Sequence, residues 1–459
     1  MRLLLGSLVL GAVAWAAADD TGVDCGSPYE HDTGIPDGSG HGSPENTPYD
    51  IADFDDVRNC ADCHPAQYDE WHGSIHAYAA KNPVMWIGSR EIGETTRFPL
   101  TCIGCHAPAA TLTGALMSED VVDNVDQLPE AARSGVSCVT CHKLYDVYDG
   151  VNQFTHCADH YFGPLEDPVE TAYHANDHSP IHEQALVCRS CHNVENLNRV
   201  QVEYTYSEWQ DANSAAGGEE DAPAIRTCQD CHMPAYTGTA AVGGPERTVH
   251  AHTFVGGDVA LTPFPDAHRQ FRAVEALMRT AGEVAAAPIL DGDTLIGVEV
   301  AVTNLNEGHD LPSGSAFDRQ VWVELYVTDA DGEVVLESGT LDADGDLRDW
   351  NSALDPGGDP WITDRLSVFR SYLSDENGAE TFDFIGGARA VEDDSLVAGE
   401  TRYVDYAFDA SAASLPLVVE ARLLYRPFPP FLLRAHGLDE TAVAAVPIFE
   451  IASDTEVIE

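Results

Sequence analysis

Ten of the twelve cysteines fall into five pairs of one spacing, each followed at once by a histidine. The copies of this C-x-x-C-H pattern are Cys60, Cys63 and His64; Cys102, Cys105 and His106; Cys138, Cys141 and His142; Cys188, Cys191 and His192; and Cys228, Cys231 and His232. Over one helical turn, positions i, i+3 and i+4 share a face, so the two sulfurs and the imidazole point the same way. Paired thiols can bind zinc, but zinc does not require a histidine after every second cysteine. A disulfide framework would not repeat one pair five times. Covalent attachment of haem requires this pattern: each cysteine adds to one vinyl group, and the adjacent histidine supplies the proximal nitrogen to iron. The sequence therefore predicts five covalently attached c-type haems (Fe). Packed into so short a region, they would themselves form much of its apolar core.

Each iron has a sixth position. Eleven further histidines lie between residues 53 and 310: His72, His76, His156, His160, His174, His178, His182, His250, His252, His268 and His309. They could give every iron a second imidazole. Met85, Met117, Met233 and Met278 could also ligate and would raise the potential, but they rank lower given so many histidines. The alternative for His72, His156, His160 and His178 is a solvated, propionate-bonding or pocket side chain.

The run Cys60-x-x-Cys63-His64-x-x-Gln67-Tyr68-x-x-Trp71-x-x-Ser74-x-His76-Ala77 resembles the opening motif of multihaem cytochromes of the cytochrome c-552/c-554 type. Gly135-Val136-Ser137-Cys138-x-x-Cys141-His142-Lys143 is similar to a later motif, as is Cys228-Gln229-Asp230-Cys231-His232-Met233-Pro234 with His252-x-Phe254-x-Gly256. The resemblance spans residues 55–260. It implies that His76 and His252 are distal ligands. Gly163-Pro164 followed by His174 resembles a segment that supplies another, with His182 as the alternate. The segment Gly308-His309-Asp310-Leu311-Pro312-Ser313-Gly314 resembles one found in β domains fused to such cytochromes. It implies that His309 reaches back to cap a haem, with a purely structural turn as the rival reading.

The elements around these residues change along the chain. Arg2 and the apolar run Leu3–Ala14, with small residues at 14–18, read as a secretory signal over 1–18. Residues 19–52 are rich in Asp, Gly, Pro and Ser and read as a disordered acidic leader. Cys25, within that leader, is poorly placed for lipidation and could pair with Cys157. Residues 53–285 form the expected haem domain, with short helices such as Pro65–Lys81 and a closing helix Ala267–Ala285. Residues 286–459 carry no cysteine and show alternating β runs at Thr294–Val302, Val321–Val327, Val334–Leu336, Thr401–Phe408 and Leu417–Tyr425. The fold class expected is α + β and multidomain: a mainly helical or irregular pentahaem region followed by an immunoglobulin-like β-sandwich.

Charge narrows the partners. The chain of 459 residues carries 77 acidic and 23 basic residues, a formal net charge of -54, and its only lysines are Lys81 and Lys143. Nucleic-acid binding and docking on anionic membranes are thereby excluded. Residues 291–459 hold -26 of that charge, so the acidity is spread over the whole chain rather than gathered in a patch. Such a surface reads as solvation in salty water, and Asp342, Asp344 and Asp346 as a solvated loop rather than a calcium site. No apolar stretch is long enough to span a bilayer. The sequence thus predicts an exported electron carrier, periplasmic or at the outer surface, exchanging electrons with redox partner proteins and able to self-associate through stacked haems. The alternative is a multihaem oxidoreductase acting on a small nitrogen or sulfur compound at one five-coordinate haem. All five motifs end in histidine, which argues against nitrite reductases that use C-x-x-C-K at the active haem.

Overall fold

The computed structural model describes residues 50–96, 100–115, 127–147, 154–157, 160–169, 171–215, 226–348 and 366–459. The signal segment 1–18, most of the leader and Cys25 lie outside these residues. The leader's last residues, Asp50–Ala52, enter a short 3-10 turn in which Asp50 and Asp53 cap each other's backbone.

The first half is a chain of short helices and two-stranded ribbons. The expected helix Pro65–Lys81 is broken into Pro65–His72, Ile75–Tyr78 and a 3-10 turn Ala79–Lys81. Gly73 ends the first piece, and Ser74 caps the second by accepting from the Ala77 amide at 3.3 Å. The break falls at Gly73 and Ser74, between Trp71 and the segment carrying His76. Helices Pro83–Thr96, Leu100–His106 and Pro108–Leu112 follow, then Glu130–Arg133 and Cys138–His142. Apolar packing here is dispersed among small clusters, one around Met85, Trp86 and Ile103 and another around Phe54, Val139 and Leu144.

Two antiparallel sheets dominate the second half. Gly282–Asp291, Thr294–Asn304 and Thr401–Ala407 form one. Val334–Ser338, Gln320–Thr328, Leu417–Arg426 and Phe449–Ile458 form the other, with Val368–Phe369 added to Gln320–Thr328. Inward side chains of both sheets share one core: Val298, Val300 and Val302 from the first, and Val321, Val323, Leu325, Val419 and Leu423 from the second. Each such residue contributes about 1.5–3 kcal/mol on burial. The β runs read from alternation are all present, and the architecture is mixed helix and sheet. Two facing sheets are a coarser finding than the expected immunoglobulin-like arrangement.

The closing helix is shorter than Ala267–Ala285: it stops at Met278. Thr280 Oγ1 caps the Leu277 carbonyl at 2.7 Å, and the strand begins at Gly282. A Cβ at Gly282 would lie 2.9 Å from the Thr303 carbonyl oxygen, so only glycine lets the chain enter the sheet here. Val274 and Met278 of the helix join the sheet core, and Phe271 meets Phe449 at 5.1 Å. The haem-motif half and the β half are therefore packed together. Arg319 strengthens the join, donating to Asp258 at 2.7 Å and to Tyr425 Oη at 3.0 Å.

Candidate haem sites

Three of the C-x-x-C-H motifs sit on a turn of helix, and the first and fourth lie in helix-like turns. The His64 amide donates to the Cys60 carbonyl at 2.8 Å, and the His192 amide to Cys188 at 3.0 Å. Ser137 caps the third motif by accepting from the Thr140 amide. Thr227 and Asp230 close a capping box on the fifth, so the variable residues of that motif help to shape it.

Three of the five motif histidines are oriented by an Nδ1 bond to a backbone carbonyl. His64 donates to the Ala240 carbonyl at 2.6 Å, His142 to Phe162 at 2.7 Å and His232 to Val255 at 2.7 Å. His192 faces a carboxylate instead, Glu203 Oε1 at 3.3 Å. His106 Nδ1 is buried near the Ala79 carbonyl, without a hydrogen bond of ordinary geometry. An imidazole whose Nδ1–H is engaged presents the bare Nε2 that a metal requires.

Four of these rings face a second imidazole. Two imidazoles sharing one metal through bonds of about 2 Å have ring centroids roughly 6 Å apart. His64 and His174 are separated by 6.5 Å, His192 and His76 by 6.4 Å, His142 and His252 by 6.3 Å, and His232 and His309 by 6.2 Å. His182 also lies beside His142, at 5.7 Å, but its Nε2 is spent on the Cys141 carbonyl at 3.0 Å. The structure therefore places His174, rather than His182, opposite His64. Among the described residues, His106 faces no second imidazole.

Burial holds three of these second-row histidines neutral, the form that binds metal. It pulls His76 down to about 3, and His252 and His309 to about 4. His192 differs: burial pulls it down, but Glu203 more than offsets this and pushes it up to about 9.

Local structure explains why His76 is held so firmly. Gly135 has φ +68°, and a Cβ there would lie 2.2 Å from the His76 carbonyl oxygen. The next amide, Val136, donates to that same oxygen at 3.0 Å, and Trp71 Nε1 donates to the Val136 carbonyl at 2.8 Å. The G-V-S segment before the third motif thus clamps the backbone of His76. Phe254 lies against its ring at 4.3 Å.

The motifs are also close to one another. Cysteines of different motifs lie side by side: Cys60 with Cys138, Cys105 with Cys191, and Cys188 with Cys228. The first and third motifs are neighbours, as are the second and fourth and the fourth and fifth. This donor set fits haem: paired sulfurs and an oriented imidazole recur five times, four of them with a facing imidazole. No cluster of three or more His, Cys, Asp or Glu side chains among the described residues suits a separate metal ion.

The other histidines have structural roles. His72 stacks on Tyr68 at 5.4 Å, His156 Nε2 donates to the Thr140 carbonyl at 2.6 Å, and His160 pairs with Asp177. His178 keeps a buried Nε2 without a partner. Met85 Sδ accepts from Ser89 at 3.6 Å, and Met117 lies outside the described residues. Cys157 is disulfide-bonded. Sequence reasoning missed Glu203 beside His192, and Glu70, whose carboxylate accepts the His252 amide at 2.9 Å.

Residues 59–143 match the family model of cytochrome c554 and c-prime. The chain carries three of its five C-x-x-C-H motifs in that stretch. Its fold is similar to the crystal structure of a penta-heme cytochrome c552 from Thermochromatium tepidum, with a TM-score of 0.61 and 22% sequence identity. That match covers 89% of the present chain and 100% of the other chain, so the likeness includes the β half. No curated protein matches the chain. No helix among the described residues of this chain is long and apolar enough to cross a membrane.

Proposed function

We propose that this chain is an exported pentahaem electron carrier in which four irons are held between paired imidazoles. The observation that carries the reading is the set of four imidazole pairs at 6.2–6.5 Å, each joining one motif histidine to a histidine far away in sequence. When bound, haem supplies iron that cycles between ferric and ferrous one electron at a time. The chain's part is to hold the macrocycles close together, fill both axial positions and set each potential through ligand, hydrogen bond and burial. Its ligands would be His64 with His174, His142 with His252, His192 with His76, and His232 with His309. The neighbouring thiols of different motifs support close packing of the haems. The partners would be redox proteins outside the cytoplasm, consistent with the signal-like segment 1–18. The β half, read as an immunoglobulin-like sandwich, would brace the haem region and supply His309.

A second reading rests on His106. With no facing imidazole among the described residues, the Cys102–His106 haem is the candidate for an open position and for chemistry on a small nitrogen or sulfur compound. One experiment separates the two. The purified, reduced holoprotein is mixed with nitrite or hydroxylamine, and substrate consumption is followed beside reoxidation of the haems. The carrier reading predicts reoxidation by a protein acceptor and no sustained turnover. Sustained turnover with a continuously supplied reductant contradicts it and makes the His106 site catalytic.

A further inference from the structure

His309 belongs to the β half, in the loop between strands Thr294–Asn304 and Gln320–Thr328, while the ring it faces belongs to the fifth attachment motif. The loop is tied to its own sheet by Asn304 Nδ2, which donates to the His309 carbonyl at 3.2 Å, and by the Leu311 amide, which donates to Leu396 at 2.9 Å. Side chains of the haem-motif half grip the same loop: Arg226 pairs with Glu307 at 2.9 Å, and Glu208 holds the residues that follow His309. Glu208, on the helix Thr205–Ala215, is buried, and its Oε2 accepts from the Asp310 amide at 3.2 Å and from Ser313 Oγ at 2.6 Å. Ser313 Oγ also lies 2.9 Å from Thr205 Oγ1 on that helix. Asp310 is held from both sides: its amide reaches Glu208, and its carbonyl accepts from His309 Nδ1 at 2.9 Å.

We propose that Glu208 is the positioning residue that seats His309 against the fifth haem, so that docking of the β half onto the haem-motif half sets the ligation of that iron. This rests on the reading of His309 as a ligand. The sequence hid it, because Glu208 is one of 77 acidic residues and stands more than a hundred positions before the loop. Its burial is the physical clue. A carboxyl group is taken out of water only where hydrogen bonds offset the cost, and both bonds to Oε2 come from the residues that follow His309. Burial pushes the carboxyl up to about 8, so a neutral amide is a close substitute for it near neutral pH.

The test uses the holoprotein in four forms: wild type, His309→Ala, Glu208→Ala and Glu208→Gln. Spin state is read by electron paramagnetic resonance and by cyanide binding to the ferric protein. His309→Ala should convert one haem to high spin and open it to cyanide. Glu208→Ala should open the same haem in part, strengthening cyanide binding roughly tenfold, the cost of losing two buried hydrogen bonds. Glu208→Gln should restore wild-type behaviour, because its amide oxygen can accept both bonds. If Glu208→Ala does not fold, Ser313→Ala removes one of the two bonds and should shift cyanide binding in the same direction by less. The positioning role is overturned if His309→Ala opens a haem while Glu208→Ala, or in its place Ser313→Ala, binds cyanide as wild type does. It is also overturned if Glu208→Gln behaves like Glu208→Ala. If His309→Ala leaves every haem low-spin, the ligand reading itself fails.

Discussion

Replacing His76 with alanine is expected to turn the haem at Cys188–His192 from low spin to high spin, raise its potential and leave the other imidazole pairs unchanged. His76 stands 6.4 Å from His192, its backbone is clamped by Val136 and its ring is covered by Phe254. No other described imidazole lies in ring contact with His192, so none stands ready to replace it. The effect should be large because the position is central: the ring also lies near His106 and His232. Removing a strong axial donor destabilises the ferric form more than the ferrous form, which raises the potential. His76→Met should restore low spin at a potential above wild type, since a thioether is the weaker donor. The measurements are low-temperature electron paramagnetic resonance and a spectroscopic redox titration. Loss of two low-spin signals in His76→Ala would mean that the clamp, and not one ligand, had failed.

The second large effect is on stability in salt. At a formal net charge of -54, the folded chain repels itself, and haem propionates would add to that charge. Screening shortens the reach of this repulsion from about 30 Å at 0.01 M salt to about 3 Å at 1 M. The thermal midpoint of the holoprotein is therefore expected to climb steadily with sodium chloride, while sucrose at matched osmolarity gives a smaller rise. Exposed pairs such as Arg269 with Asp69 and Arg434 with Glu440 weaken as salt rises, but each contributes only about 0–1 kcal/mol, too little to reverse the trend. Neutralising a set of exposed aspartates should flatten the curve and leave the haem spectrum as it was. A midpoint that stays level or falls between 0.1 M and 1 M salt would contradict a solvating role for the charge.

Much of this was written locally in the chain. The attachment motifs are local by chemistry, because two thioethers and a proximal nitrogen must come from one helical turn. The five β runs show as alternation and are found within a few residues of it, but the strands Gly282–Asp291 and Phe449–Ile458 were not read from it. Local signals were weaker at element ends. Ser74 and Gly282 cut two helices that periodicity alone had extended, the first by capping and the second by the contact a side chain would make in the sheet. The facing of imidazoles was legible only in part. His76, His174, His252 and His309 were singled out by resemblance, yet which ring each faces depends on packing between residues 77 to 116 positions apart. Resemblance also put forward His182, which the structure directs to the Cys141 carbonyl. Glu203 and Glu208 carried no signal, since their roles come from burial and from distant partners.

The central claim is that four irons are held between paired imidazoles in a chain with five attachment motifs. The most direct measurement is quantitative electron paramagnetic resonance of the ferric holoprotein, with covalent haem per chain counted by alkaline pyridine spectroscopy on the same sample. The account predicts five covalent haems and four low-spin, bis-imidazole irons, with any high-spin signal confined to one iron and abolished by removing the Cys102–His106 attachment. Fewer than five haems, or high-spin signal from two or more irons, would contradict it.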